Sequence, residues 1–118
     1  TTLPAMSRTE PRSAALASVF AALGDPTRAT ILERLSREGR LTLTDLARGA
    51  PISRQAISRH VAVLSDAGLL TGAREGRELR LSLQPQALVP ATDWLVQVAA
   101  AWDGALGRLA RHVEADDG

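Results

Sequence analysis

One segment of this chain spaces its apolar residues differently from the rest, and that difference limits the folds available to it. Through most of the sequence the large apolar residues recur every three or four positions, which is the spacing of one helix face. Near residue 80 they instead alternate with polar residues, which is the spacing of a β-strand. The helical set is clearest in Leu16, Val19, Phe20 and Leu23, and the alternating set is Leu79, Leu81 and Leu83. Because Ala and Leu, both strong helix formers, supply 39 of the 118 residues, the sequence predicts a mostly helical protein with one hairpin.

Capping residues divide the helical part into separate helices. Asp25 precedes Pro26, and a carboxylate followed by proline is typical of a helix start. Thr42 and Asp45 have the spacing of a capping box, and Ser53 can cap the next helix. The expected elements are helices over 13–23, 26–38, 42–49, 53–67 and 87–114, and strands over 69–75 and 77–84 around a turn at 75–78.

Two short helices joined by a tight turn and followed by a hairpin form a winged helix-turn-helix arrangement. We therefore expect a mostly α fold with a small β-wing: five main helices and a two-stranded hairpin. Residues 1–12 contain two prolines and little periodicity, so we expect a flexible arm there. We expect residues 13–118 to be a single domain, with the helix-turn-helix over 42–67, the wing over 69–84 and a long C-terminal helix over 87–114.

The composition excludes several classes of function. Without Cys the chain has no disulfide, thiol nucleophile or iron–sulfur cluster, and without Lys it has no Walker-type loop or Schiff base. Ser58 and His60 lie two positions apart on a helix and so do not face each other as a catalytic pair would. No apolar run reaches the roughly 18 residues of a membrane span. We expect no enzyme, no cofactor and no membrane partner, and a cytoplasmic location.

Charge is distributed unevenly along the chain. The formal net charge is only +1, but residues 40–80 sum to +3 and residues 81–118 to −3. A basic middle followed by an acidic end indicates that one face meets an anion.

The helix predicted over 53–67 has the side chains that read bases. With Ile57 inward, Gln55 and Arg59 lie about 160° and 200° away, at the centre of the outer face. Gln can bridge adenine N6 and N7, and Arg can bridge guanine O6 and N7. Arg54 and Ser58 flank them, and Ser53 with the free N–H groups of the helix start suits a phosphate. The alternative is an ordinary solvated helix face.

The hairpin and the two histidines offer further contacts. The hairpin contains Arg74, Arg77 and Arg80, and Arg77 at its tip can reach phosphates or the minor groove. The alternatives are that Arg77 pairs with Glu75 or Glu78, or that these charges protect an edge strand. His60 can donate to a phosphate or hydrogen-bond within the domain. His112 and Asp116 have the spacing of metal ligands, but stable sites usually need three or four, so we expect no metal.

The last helix has an apolar seam for a partner. Apolar residues recur at alternating spacings of four and three from Ala91 to Leu109, as in a heptad repeat. With its flanking residues the apolar sector spans roughly 160°, which leaves surface for a second molecule.

Four segments resemble one family of bacterial regulators. VFAALGDPTRATILERL, LTLTDLA, ISRQAISRHVAVLSDAGLL and REGRELRLSL resemble, in order and spacing, the motifs of the ArsR/SmtB winged helix-turn-helix regulators. The resemblance implies a homodimeric, sequence-specific repressor that binds a near-palindromic operator and dimerises through the first and last helices. The Cys, Asp and His ligands of metal-sensing members are not matched, so we expect the branch that lacks metal sites.

The resemblance and the helix wheel together give two sets of residues. The residues expected at double-stranded DNA are Thr42, Ser53, Arg54, Gln55, Ser58, Arg59, His60, Arg74 and Arg77. Those expected at the dimer interface are Leu16, Phe20, Trp94, Leu95, Val98, Trp102 and Leu109. Two alternatives stay open: a MarR-like regulator that responds to a small apolar effector, and a winged helix that binds protein.

Overall fold

The computed structural model describes residues 14–117, apart from the side chains of residues 106 and 113–117. The arm expected over residues 1–12 lies outside this part. The helices within it are α1 (residues 14–23), α2 (Pro26–Glu38), α3 (Leu43–Ala47), α4 (Arg54–Asp66) and α5 (Val89–Asp117). The strands are β1 (Leu41–Thr42), β2 (Leu70–Glu75) and β3 (Glu78–Leu83), and a single 3₁₀ turn, Pro85–Leu88, precedes α5. The mostly α fold with a β-wing is confirmed.

The wing belongs to a three-stranded antiparallel sheet of order β1-β3-β2. The hairpin pairs Leu70 with Leu83 at its base and Glu75 with Glu78 at its tip. Two residues, Gly76 and Arg77, form the turn, and Gly76 has the positive φ of 65° that such a turn requires. The sequence predicts residues 40–42 to be extended but does not predict their pairing with β3, which is a contact between distant parts of the chain.

Local capping determines where the helices begin, as the sequence predicts. The Asp25 carboxylate accepts the N–H of Arg28 at 3.1 Å, and Pro26 occupies the first turn of α2. Thr42 and Asp45 form a reciprocal capping box at α3, with both hydrogen bonds at 3.0 Å. The Ser53 hydroxyl accepts the N–H of Ala56 at 3.1 Å and so caps α4. Each such cap stabilises its helix by about 1 kcal/mol.

The core lies between the helix-turn-helix and the sheet. The largest fully buried side chains are those of Ile57, Leu64, Leu69 and Leu81. The chain leaves α4 through a Schellman motif, in which the N–H of Leu69 binds the carbonyl of Leu64 at 3.0 Å and Gly68 has a φ of 81°. Both leucines of this motif are fully buried, so the turn that ends α4 also directs β2 into the core.

The chain divides into two compact units, one ending at Leu88 and one beginning at Val89. The second unit is α5, and its apolar side chains at Trp94, Leu95, Val98 and Trp102 are 41–65% exposed. The placement of both units in a single domain over 13–118 stays a prediction. No helix in the described part of the chain has the length and apolar character that crossing a membrane requires.

Candidate nucleic-acid interface

Three buried side chains determine which face of α4 meets solvent. Ile57, Val61 and Leu64 are at most 6% exposed and follow one another at four- and three-residue spacing. Four polar residues of the opposite side are exposed; together we call them the recognition face. They are Arg54, Gln55, Ser58 and Arg59. The structure thus brings together on one surface four of the residues that the sequence predicts at DNA.

The recognition face is electropositive and open. Among the described residues, neither Arg54 nor Arg59 has an ion pair with an acidic side chain. Between Asp45 and Asp66 the sequence contains no acidic residue. Asp66, at the opposite end of α4, places negative charge two turns away from Arg59. The N-terminal half of α4 is therefore the part that suits a polyanion.

The start of α4 adds two features that favour a phosphate. Ser53 is exposed, and because its oxygen accepts the N–H of Ala56, its hydroxyl hydrogen is available to a ligand. The first N–H groups of a helix have no partner within it and carry the positive end of the helix dipole. This end of α4 can hold a phosphate beside the recognition face.

The wing presents arginines on both of its faces. Arg74 pairs in register with Leu79, and Arg80 pairs with Ala73, so the two arginine side chains leave opposite faces of the hairpin. Arg77 lies in the turn and is exposed. In the described part of the chain Arg77 has no ion pair, so the alternative in which it pairs with Glu75 or Glu78 is not seen there.

Glu75 has two other partners. Its carboxylate binds the guanidinium of Arg40 and, at 2.5 Å, that of Arg80. Arg40 directly precedes β1, so this bridge joins the wing to the strand that pairs with β3. The negative charge of Glu75 reduces the positive charge that Arg40 and Arg80 present to a ligand. The sequence does not identify Arg40 as part of this surface, because Arg40 and Glu75 are 35 residues apart.

His60 is half-buried and contacts the start of α2. Its Nδ1 lies 3.1 Å from Nη1 of Arg28 and 3.8 Å from the Asp25 carboxylate. From the sequence, His60 could either donate to a phosphate or hydrogen-bond within the domain, and the Arg28 contact is a hydrogen bond of the second kind. The backbone N–H of Arg28 donates to the Asp25 carboxylate and so holds the pKa of Asp25 below its ordinary value, although partial desolvation opposes this effect.

Arg28 is a residue that the sequence analysis misses. A positive charge in the first turn of a helix is unfavourable to the helix dipole, so its presence there indicates another role. Its guanidinium binds the carbonyls of Ala21 and Ala22 at the end of α1 as well as His60.

Thr42 is placed differently from the rest of the predicted DNA set. Its side chain is only 6% exposed, and its hydroxyl accepts the N–H of Asp45 in the capping box. The N–H of Thr42, which donates to the Asp45 carboxylate in this box, and then the Thr42 hydroxyl lower the pKa of Asp45. Because so little of the Thr42 side chain reaches the surface, we correct the expectation and leave Thr42 out of the proposed interface.

The described residues contain no group of three or more His, Asp or Glu side chains that could hold a metal ion. Of the pair with metal-ligand spacing, the Asp116 side chain lies outside the described part of the chain.

Comparison with known proteins identifies the family. A family model described as a helix-turn-helix domain matches residues 23–73. The ArsR-like transcriptional regulator from Rhodococcus sp. RHA1 is 37% identical, with a TM-score of 0.71, over 84% of this chain and 92% of that one. The chain belongs to the ArsR family of transcriptional regulators.

Two more relatives of this ArsR-family protein extend the comparison. The transcriptional repressor SdpR of Bacillus subtilis is 34% identical over 79 residues, which are 67% of this chain and 87% of the repressor. A homodimeric winged helix-turn-helix DNA-binding domain from Mycobacterium bovis, a possible ArsR-family regulator, is 25% identical with a TM-score of 0.64, over 80% of this chain and 85% of that one. The protein is a DNA-binding transcriptional regulator, and its relatives are regulators rather than enzymes.

Proposed function

We propose that this ArsR-family protein is a homodimeric repressor that binds a near-palindromic operator. The observation that carries the proposal is the exposed row of Gln55 and Arg59 on a helix whose other side is anchored by fully buried apolar residues. A rigidly held helix with base-reading side chains at its N-terminal half is how helix-turn-helix proteins enter the major groove.

Each residue of the recognition face has a chemical role in this proposal. Gln55 accepts from and donates to adenine, and Arg59 donates twice to guanine. Arg54 and Ser58 bind the backbone on the flanks of the groove, and Ser53 binds a phosphate at the start of α4. These backbone contacts fix the register and orientation in which the two readers meet the bases.

The wing and His60 complete the surface. Arg77 at the tip lies free of acidic partners in the described chain and reaches the phosphates or the minor groove beside the half-site. Arg74 supports it from one face of the hairpin. His60, through the ring nitrogen that Arg28 leaves free, is placed to donate to a phosphate.

A second copy of the chain supplies the second half-site. We propose an interface formed by the exposed apolar side chains of α5 and two half-buried side chains of α1. They are Trp94, Leu95, Val98, Trp102 and Leu109 of α5, and Leu16 and Phe20 of α1. The homodimeric state of the Mycobacterium bovis domain supports this proposal. The name of SdpR, a repressor, supports repression as the outcome of operator binding. We place this action in the cytoplasm and propose that it does not respond to metal.

A cavity favours a second candidate, a regulator released by a small apolar effector. An open cleft of about 310 Å³ lies between α2 and the turn of the helix-turn-helix. Its apolar walls include Ile31, Leu46, Ile52 and Ile57. Ile52→Trp would fill this cleft. If an effector acts in this cleft, the variant will stay bound to DNA under conditions in which cell extract releases the wild type. Equal release of both proteins would exclude the cleft as the effector site.

Arg59→Ala tests the proposed function on a duplex that the wild-type protein has selected from a random pool. The expected result is a loss of about 1–3 kcal/mol of binding free energy and relaxed preference at one base pair. Arg37→Ala is the matched control, because Arg37 is an exposed arginine of α2 outside the recognition face. An equal loss on every sequence would make Arg59 a phosphate contact, and no loss would remove α4 from the interface.

A further inference from the structure

The guanidinium of Arg28 joins three helices. Its Nε donates to the carbonyl of Ala22 at 2.7 Å, and its Nη2 donates to that of Ala21 at 3.2 Å. Its Nη1 lies 3.1 Å from Nδ1 of His60, a residue of α4 that is 32 positions away. Arg28 itself belongs to the first turn of α2. We call these four residues and Asp25 the helix junction.

The chemistry of the junction determines the state of the His60 ring. A guanidinium has only donors, so Nδ1 of His60 must accept and cannot carry a hydrogen. The ring is then neutral, with its hydrogen on Nε2. A protonated ring would place two N–H groups against each other at Nδ1. Arg28 therefore selects one tautomer as well as one position of the ring.

The two ends of this link carry different parts of the molecule. The carbonyls of Ala21 and Ala22 belong to the last turn of α1, where few backbone N–H groups remain to reach them. That of Ala21 accepts the N–H of Gly24 at 3.2 Å, and Arg28 adds a side-chain donor to each. His60 follows Arg59 directly, on the flank of α4 next to the recognition face. Because successive side chains of a helix are fixed about 100° apart, holding His60 also fixes the direction of Arg59.

We propose that Arg28 is a positioning residue for DNA recognition, which ties the rotation of α4 to the end of α1 through the Nδ1 atom of His60. The inference rests on the proposed function, since it assigns to that function a control point outside the surface that meets DNA. It also gives α1, which we propose to contact the partner, a direct connection to the recognition helix.

Alternative explanations of the contact make different predictions. If Arg28 only caps α1, then removing His60 will leave the bonds to Ala21 and Ala22 intact and will not couple to the loss of Arg28. If His60 acts on DNA alone, then Arg28→Gln will leave affinity unchanged. Positioning through one link predicts instead that the two losses are not additive.

The experiment is a double-mutant cycle on the full chain, using Arg28→Gln, His60→Ala and the double variant, with affinity measured on the selected operator. Each single variant is expected to bind about tenfold more weakly, and the double variant no more weakly than the singles. Arg37→Gln is the control, because it removes the same charge from the same helix. The proposal would be overturned if Arg28→Gln bound with wild-type affinity. It would also be overturned if the fold-loss of the double variant equalled the product of the two single losses.

Nitrogen-15 NMR of the His60 ring and of the Arg28 side chain supplies a readout that does not depend on DNA. In the wild type, Nδ1 is expected to show the shift of an unprotonated acceptor, and the Arg28 Nε–H to be protected from exchange. In Arg28→Lys, which keeps the charge, the His60 Nδ1 shift is expected to move toward that of a solvated ring. No movement would overturn the link. If the wild type selects no DNA, the proposed function fails, while these spectra still decide whether the junction exists.

Discussion

Glu75 restrains two arginines near the tip of the wing, and neutralising it is expected to tighten DNA binding. Glu75→Gln keeps the size of the side chain and removes the charge that Arg40 and Arg80 share. Arg40, Glu75 and Arg80 have side chains that are 56%, 45% and 38% exposed. Ion pairs this exposed contribute at most about 1 kcal/mol to stability, so the variant will fold normally.

The size of the effect follows from counterion release. Each new phosphate contact steepens the plot of log affinity against log salt by about 0.9. Extrapolated from 1 M to 0.2 M salt, one contact tightens binding about fourfold and two tighten it about 20-fold. We therefore expect Glu75→Gln to bind the operator about 4- to 20-fold more tightly, with a slope steeper by about 1 to 2, according to whether one or both freed arginines contact phosphate.

The assay is fluorescence anisotropy of a labelled operator between about 0.1 and 0.4 M salt, a range in which phosphate contacts dominate the salt dependence. Glu78→Gln is the matched control, because Glu78 lies opposite Glu75 on the hairpin and has no ion pair within the described residues. The control removes the same charge but frees no arginine, so its slope will equal that of the wild type. Equal slopes for both variants would refute the argument that Glu75 competes with phosphate.

The remaining predictions concern stability and assembly. Leu64→Ala, at a fully buried site, will lower the free energy of unfolding in urea by about 2–5 kcal/mol, whereas the exposed Val63→Ala will change it little. Asp45→Ala will remove the capping box; because the pKa of Asp45 is lowered in the folded state, its contribution is complete above the ordinary value of 3.8 and is lost as the pH falls through the lower folded pKa. The stabilities of the wild type and this variant will therefore converge in acid. A difference in stability that stays constant down to about pH 2 would contradict the assignment. Trp102→Glu will yield monomers in light scattering and weaken operator binding, and an unchanged dimer would remove Trp102 from the interface.

Local chemistry explains why much of the fold is predictable. The caps at Asp25, Thr42 and Ser53 involve atoms within three residues of one another, so sequence spacing reveals them. The hairpin is equally local, because Gly76 supplies the backbone conformation that the turn needs. The outer face of α4 follows from the positions of its buried residues, since the helix has a fixed period.

Contacts between distant segments are what the sequence does not reveal. The pairing of β1 with β3 joins Leu41 to Leu81, and no local pattern indicates which strand a two-residue segment will meet. The partner of Glu75 could be any nearby arginine until the hairpin is placed against Arg40. Thr42 looks available for DNA from its sequence position, but the capping box and the sheet bury it.

In the proposed dimer, the recognition faces of two copies read one specific DNA sequence. Selection of bound duplexes from a random pool, carried out with the wild-type protein at two salt concentrations, tests it most directly. We expect a near-palindromic motif whose half-site centres lie about 10 base pairs, or a multiple of that, apart, and an affinity that falls steeply with salt. Salt-sensitive binding with no motif, or a motif with a single half-site, would contradict it.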